Sequence, residues 1–415
     1  MAAKSGSNRA GFDGYSRHHP QGSAMNIPVL AAAAVGLSIL AGCADMAAPR
    51  GAPELMLVAN DEKVTWEAGK PVLGVPGKDS LSIVDIGTDP LAPKIIANLP
   101  LPNTIFGPPV NLAITPDASL ALLANSMNVV EEAGARKAVP DNRLFVIDLT
   151  TSPPRLIDTL AIGKQPSGLS INRAGNLALV ANRADNSISV LRIAGKKVEL
   201  IDTVAMGEQV AHVRFTPDGK RALAAKFPGH KIALLDVAGE KVSYGKLDLP
   251  VGLWPYNVDV TPDGKLAISA DNGNSGASDG SVDTVSVIDL EASPPRIVDR
   301  VVVGDGPEGL AISPKGDIAV AVILAGSNEK QAYYYHRNGH LAVLSIKGKT
   351  VRKTGEVEVG GLPEGAAFTP DGKYLYVGNY LDSDLSILKV SGGKITPVKR
   401  FKLPGHPASV RMSEK

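Results

Sequence analysis

Between residues 54 and 415, apolar positions fall in short runs broken by Gly, Pro, Asn and Asp. Runs of this length, rich in Val, Ile, Leu and Ala, predict β-strands rather than helices. The runs also recur as a unit, in which a strand enters Thr-Pro-Asp-Gly or a variant of it and a second strand leaves. Copies begin NLAITPDAS at Asn111, GLSINRAGN at Gly168, HVRFTPDGK at His212, NVDVTPDGK at Asn257, GLAISPKGD at Gly309 and GAAFTPDGK at Gly365. A truncated copy, SVRMSEK, starts at Ser409. In this turn Pro presets φ, Asp bonds back to the backbone and Gly takes the left-handed position.

A third run follows in each copy, as in RLFVIDL at Arg143 and TVSVIDL at Thr284, and a fourth leads into the next copy, as in RLIDTLAIG at Arg155. Four short strands per unit of about 45 residues define a propeller blade. Before the first full copy stand LMLVAND at Leu55 and SLSIVDI at Ser80, a second and third strand without their first. The truncated copy supplies that first strand. The chain is therefore expected to be an all-β, seven-bladed β-propeller in which N- and C-terminal strands share one blade, which leaves the ring no open edge.

Composition agrees. Gly (43) and Pro (31) are abundant for 415 residues, and aromatics are 4%, as expected of many turns. Lys plus Arg (43) balances Asp plus Glu (42), so no basic field marks a nucleic-acid partner. The single cysteine, Cys43, excludes a disulfide framework or a multi-cysteine metal site within one chain.

Val29 to Leu40 reads VLAAAAVGLSIL, the length of a signal-peptide apolar region. Leu40-Ala41-Gly42-Cys43 follows and resembles the bacterial lipobox, whose cysteine is lipidated. The expected organisation is a signal peptide over 1–42, with Met25 as an alternative start, a lipidated tether over 43–53 and the propeller over 54–415. That implies an exported, membrane-anchored protein, with outer-membrane sorting favoured by Ala44 after the cysteine.

The repeats resemble the seven-bladed YVTN-type propellers, which overlap the lactonase-like propellers. The motif at the end of the second strand reads LVAN (Leu57–Asn60), LLAN (Leu122–Asn125), LVAN (Leu179–Asn182) and YVGN (Tyr376–Asn379), and the third-strand hallmark Val-Ser-Val-Ile-Asp stands intact at Val285–Asp289. The resemblance implies the fold. The family holds both binding proteins and lactone hydrolases, and its catalytic residues do not map onto this chain position by position.

Candidate sites follow from propeller geometry. Loops between second and third strands are long in blades 1 (62–79), 2 (127–142), 5 (273–283) and 6 (325–339) and short elsewhere. Long loops on a rigid scaffold commonly carry binding. Connections entering the inner strands open on the same face and bring Asn111, His212, Arg214, Tyr256, Asn257, Glu308, Glu364 and Arg411 toward the channel. Trp254 and His406 stand in the same connections.

Glu308 and Glu364 occupy equivalent places in two Pro-Glu-Gly triplets, as a carboxylate pair for a cation or for acid–base work would. Salt bridges to Arg214 or Arg411 would explain them equally. Tyr333–His336 with His340 is a weaker metal candidate, since His-x-x-x-His meets a metal on a helix and a Gly-bearing hairpin is expected here, and so is the Asp-rich loop from Asp271 to Asp283, which lacks the EF-hand order and its terminal Glu. No cofactor is expected, and a divalent cation such as Ca²⁺ is the one ion considered.

Two functions remain open. One is a monomeric binding scaffold that presents its loop-rich face and channel mouth to a protein partner, envelope component or small ligand. The other is a lactone hydrolase using Glu308, Glu364 and His212.

Overall fold

The computed structural model describes residues 54–413 apart from residue 275. Cys43 and the whole segment 1–53, including the signal peptide and tether, lie outside the described residues. Among the described residues no helix is long and apolar enough to cross a membrane.

Seven four-stranded antiparallel sheets form the blades of a β-propeller. The inner strands are Pro407–Met412 (blade 1), Leu112–Ile114 (2), Pro166–Ile171 (3), Val213–Phe215 (4), Pro255–Val260 (5), Pro307–Ile312 (6) and Pro363–Phe368 (7). Each inner strand touches those of both neighbouring blades, so the ring closes. Blade 1 joins the termini as expected: Leu55–Asn60 pairs with Pro407–Met412, with Met56 opposite Met412 and Val58 opposite Val410. This pairing satisfies backbone groups that an open ring would expose.

The core is divided among seven interfaces, one between each pair of adjacent blades. Leu57, Ile83 and Leu123 pack between blades 1 and 2, for instance, and Ile268, Val287 and Leu344 between blades 5 and 6. Within the blades the second strands are almost wholly buried, as in Leu177–Asn182, and outer strands such as Arg155–Ala161 are half-exposed. That gradient explains continuous apolar runs in the middle of each unit and mixed ones at its end.

Two of the long loops are themselves β-structure. Blade 1 carries a hairpin, Val64–Glu67 with Lys70–Leu73. In blade 2 the second and third strands run on as Leu120–Glu132 and Ala135–Asp148, so 127–142 is a projecting β-arm and not an irregular loop. The arm's Arg136 Nη1 donates to Leu73 O of the blade 1 hairpin at 3.2 Å. Loops of blades 5 and 6 are laced likewise, with Tyr334 Oη donating to Ser278 O at 3.2 Å and Gly326 N–H to Ser278 Oγ at 2.8 Å.

The turn chemistry is as read from the sequence. Thr216 Oγ1 donates to Asp218 Oδ1 at 2.6 Å, Thr261 repeats the bond to Asp263, and Gly219 and Gly264 hold φ of 67° and 72°. In blade 2 the equivalent of the glycine is Ala118, at φ 54°. A Cβ in that region costs roughly 1–2 kcal/mol. Ala118→Gly is therefore expected to raise stability by about 1 kcal/mol, offset in part by the freer unfolded chain. Thermal unfolding checks this, and a lowered melting temperature contradicts it.

Candidate functional site

Five inner strands begin with a β-bulge next to a proline: at Pro166/Leu169, Pro255/Asn257, Pro307/Gly309, Pro363/Ala366 and Pro407/Ser409. A bulge re-aims the side chains it carries. The bulged residues include Ser167, Tyr256, Glu308 and Glu364, all buried. Arg183, which directly follows the blade 3 LVAN motif, joins them. Its Nη1 donates to Tyr256 Oη at 3.2 Å, and its guanidinium lies 4.8 Å from the Phe227 ring centre and 5.5 Å from that of Tyr256.

This setting decides protonation. Burial pushes the Glu308 carboxyl up to about 8, against the opposing pull of Arg183. Glu364 is raised well above the ordinary carboxyl range, first by burial and then by the charge of Glu308. Burial likewise lifts Tyr256 to about 12. At neutral pH the pair therefore holds protons and presents hydrogen-bond donors, because two buried charges so close would repel with little screening.

Ser126 Oγ, Ser167 Oγ, Arg183 Nε and Glu364 Oε2 are among the buried side-chain atoms of the described residues without a hydrogen-bond partner, others of which, such as Asn60 Oδ1 and Asn328 Oδ1, lie in other parts of the molecule. Ser126, Ser167 and Arg183 meet above Gly107, whose φ is 150°. A Cβ there would lie 2.9 Å from Ser167 Oγ, 3.5 Å from Arg183 Nη1 and 3.8 Å from Ser126 Oγ. The glycine thus leaves open a spot ringed by polar groups. Gly107, Ser126 and Arg183 carry no sequence signal of their own. Arg183 opens one of the shortest loops, so loop length gives it no prominence.

The other expected residues divide into three places. Asn111, His212 and Asn257 form the waist of the channel, all buried. Asn111 Nδ2 donates to Asn103 Oδ1 at 2.8 Å, and Asn111 Oδ1 accepts from Ser409 Oγ at 2.6 Å. His212 Nδ1 accepts from Val258 N–H at 3.3 Å. Burial, then Arg411 and Arg214, hold its pKa well below the ordinary histidine value, so the ring is neutral and poorly suited to accepting a proton.

Arg214 and Arg411 stand on the far side of the waist, around a cavity at the Pro-Asp-Gly turn end, rather than at the mouth. Arg214 pairs with Asp259 at 2.9 Å, so the charge partner of Glu308 is Arg183 and not the arginines expected from the sequence. Trp254 and His406 serve inter-blade packing. Trp254 lies 5.5 Å from Phe227, and His406 stacks on Tyr380 at 5.0 Å with Nδ1 2.7 Å from Tyr380 O.

No group of three or more His, Cys, Asp or Glu side chains among the described residues is arranged to hold a metal ion. Around the blade 5 loop the carboxylates turn to the protein itself: Asp283 accepts from Gly306 N–H, Asp271 from Ser269 and Ser286, and Asp305, in the connection to blade 6, from Asp279 and Gly280 N–H. His340 faces Glu356 at 3.7 Å.

No family model and no curated protein matches the chain. Solved structures do match. A Bacteroides uniformis protein assigned provisionally as a 6-phosphogluconolactonase superposes with a TM-score of 0.66 at 16% identity, covering 87% of this chain and 99% of that one. The periplasmic gluconolactonase of Pseudomonas aeruginosa gives 0.64 at 16% identity, with 87% and 99% covered. Hydrazine synthase of Kuenenia stuttgartiensis gives 0.56 at 19%, with 74% and 90% covered. The shared feature is the propeller. At such identities, proteins this different in activity speak for the fold alone.

The buried carboxyl pair has a measurable consequence. Between the pKa of a free glutamate and the raised values in the fold, the folded chain keeps protons that the unfolded chain releases. Stability therefore falls as pH rises, by up to about 1.4 kcal/mol per pH unit for each retained proton. The Glu308→Gln/Glu364→Gln chain lacks this term. Its melting temperature relative to the parent should climb from about pH 5 to about pH 8. A difference independent of pH contradicts the assignment.

Proposed function

We propose that this propeller binds a small, acceptor-rich polyoxygenated ligand of the sugar-lactone class at its channel mouth. One observation carries the reading: the protonated Glu308–Glu364 pair beside Arg183 and Tyr256, with buried polar atoms of Ser126, Ser167, Arg183 and Glu364 left unpaired. Ser126, Ser167 and Arg183 meet at Gly107, so their polar atoms are placed together where a ligand could engage them. Carboxyl, guanidinium and phenol groups together offer mostly donors, which suit the carbonyl and ring oxygens of a lactone. The resemblance to YVTN-type propellers and the lipobox at Cys43 support an exported, membrane-anchored location. Fatty-acid labelling that Cys43→Ala fails to abolish contradicts the anchor.

A second reading, hydrolysis at the same site, is favoured by the pKa of Glu308, which lies near working pH where a general base is most effective. Ionised Glu308 takes a proton from water as the water oxygen bonds to the lactone carbonyl carbon. The ring C–O bond then breaks, the proton passes to the leaving alkoxide, and the product is the open hydroxy acid. Arg183 offsets negative charge on the carbonyl oxygen. The likeness to a periplasmic gluconolactonase is compatible with this chemistry.

The test is a panel of aldonolactones given to the full chain and to Glu308→Gln/Glu364→Gln, with binding followed by calorimetry and ring opening by acid release. Binding that the double variant weakens at least tenfold supports the site. If turnover accompanies binding, kcat/KM should rise with pH through about 8 and fall at least about 100-fold in the variant. Neither binding nor turnover overturns the lactone reading, and turnover unchanged in the variant moves the site elsewhere.

A further inference from the structure

The repeat sets two polar side chains of the mouth next to each other. Ser126 directly follows the LLAN motif of blade 2, and Arg183 directly follows the LVAN motif of blade 3. Equivalent positions of neighbouring blades adjoin at the loop end of the ring. Ser167, in the bulge of the blade 3 inner strand, joins them. All three surround the point where a Cβ on Gly107 would lie, at 2.9 to 3.8 Å. A side chain at that position would fill the point, and its φ of 150° favours glycine. Ser126 and Ser167 are 2% and 1% exposed, and neither hydroxyl has a hydrogen-bond partner.

Arg183 supplies the charge. Among the described residues its half-buried side chain makes one hydrogen bond, to Tyr256 Oη, and no ion pair. A guanidinium carries five donors, and Nε here is buried without a partner. Glu308, on which its charge pulls, is kept protonated at neutral pH by burial and so does not neutralise it. The number of charges sets the class of anion that fits. One guanidinium and two hydroxyls match one negative charge. A carboxylate brings one, spread over two oxygens in a plane that suits the guanidinium fork. A doubly charged group would leave an unmatched charge in a poorly solvated place.

We propose that Gly107, Ser126, Ser167 and Arg183 form a carboxylate subsite, so that the ligand of the mouth is an acidic sugar lactone, one that keeps a free carboxylate besides its lactone ring. The inference rests on the reading of the mouth as a sugar-lactone site and narrows it. The two hydroxyls and the guanidinium donate to the carboxylate, and Glu308 and Glu364 serve the lactone end. The monolactone of a dicarboxylic sugar acid has this make-up. The lactone of the corresponding monocarboxylic acid differs from it only by a CH₂OH group in place of the carboxylate.

The experiment is calorimetric titration of the full chain with the monolactone of D-glucaric acid and with the matching lactone of D-gluconic acid, at about pH 6, where a sugar carboxyl is ionised. It is repeated on Ser126→Ala and Arg183→Gln, with thermal unfolding as the check that each variant folds. The Ser126 hydroxyl bonds to nothing in the protein, so its removal decides the matter even if Arg183→Gln does not fold. The expected result is that the acidic lactone binds at least tenfold more tightly than the neutral one. That preference falls severalfold in Ser126→Ala and is abolished in Arg183→Gln. If the parent chain binds the neutral lactone as tightly as the acidic one, or if the preference is unchanged in Ser126→Ala, the carboxylate subsite is overturned and the lactone reading stands. Binding of neither lactone overturns both.

Discussion

Seven inner strands can meet around one axis only where their backbones approach closely, and the rest of the molecule depends on that approach. Gly168 N–H donates to Ala211 O of the next blade at 2.9 Å, and Leu169 N–H donates to Val110 O of the preceding one at 3.0 Å. A Cβ on Gly168 would lie 2.6 Å from His212 Cδ2. Gly309 and Gly365 meet the backbones of Glu364 and Val410 in the same way. Glycine at three places of the waist lets the ring close, and the buried Asn111, His212, Asn257 and Ser409 fill what remains. The waist thus narrows the bore, with the carboxyl pair on one side and the cavity lined by Arg214 and Arg411 on the other.

The mouth owes its character to the bulges. A regular inner strand has no spare residue to turn toward the mouth, and each bulge supplies one. Glu308 and Glu364 occupy such positions and pack against each other's strands. Bringing two carboxyls together where water is excluded costs more than keeping them protonated, so the mouth becomes a set of donors. The long loops have a supporting part. Lys63, buried with Asp61 and Asp79 at 3.2 and 2.7 Å, fixes the base of the blade 1 hairpin, and Tyr380 Oη ties it to blade 7 through Asp61 O and Val64 O.

The fold was legible because each blade repeats the same local instructions: Thr-Pro-Asp-Gly for the turn, an apolar second strand, and an Asn at its end. That Asn bonds across to the third strand, as Asn182 Nδ2 does to Ser187 and Ser189 Oγ at 3.1 and 2.9 Å. Repetition also made Glu308 and Glu364 conspicuous as equivalents near one axis. What repetition does not encode is the partner. Arg183, whose charge pulls on Glu308, belongs to a blade three away, a distance in sequence that no spacing reveals. The side of the waist on which each channel-facing position falls was equally hidden, because alternation along a strand does not say where the waist lies. Trp254 and His406 looked like ligand groups because their connections enter the channel face, yet apolar and stacking contacts with Phe227 and Tyr380 claim them.

The claim at the centre of this account is that the channel mouth keeps a buried, protonated carboxyl pair at neutral pH. Infrared difference spectroscopy measures this directly, by the C=O stretch of carboxylic acid as opposed to carboxylate. At neutral pH the account predicts a protonated-carboxyl band in the parent chain that is lost in Glu308→Gln/Glu364→Gln and that titrates in the parent at alkaline pH. An unchanged carboxylic-acid region between the two chains would mean that both glutamates are ionised, and would contradict the account.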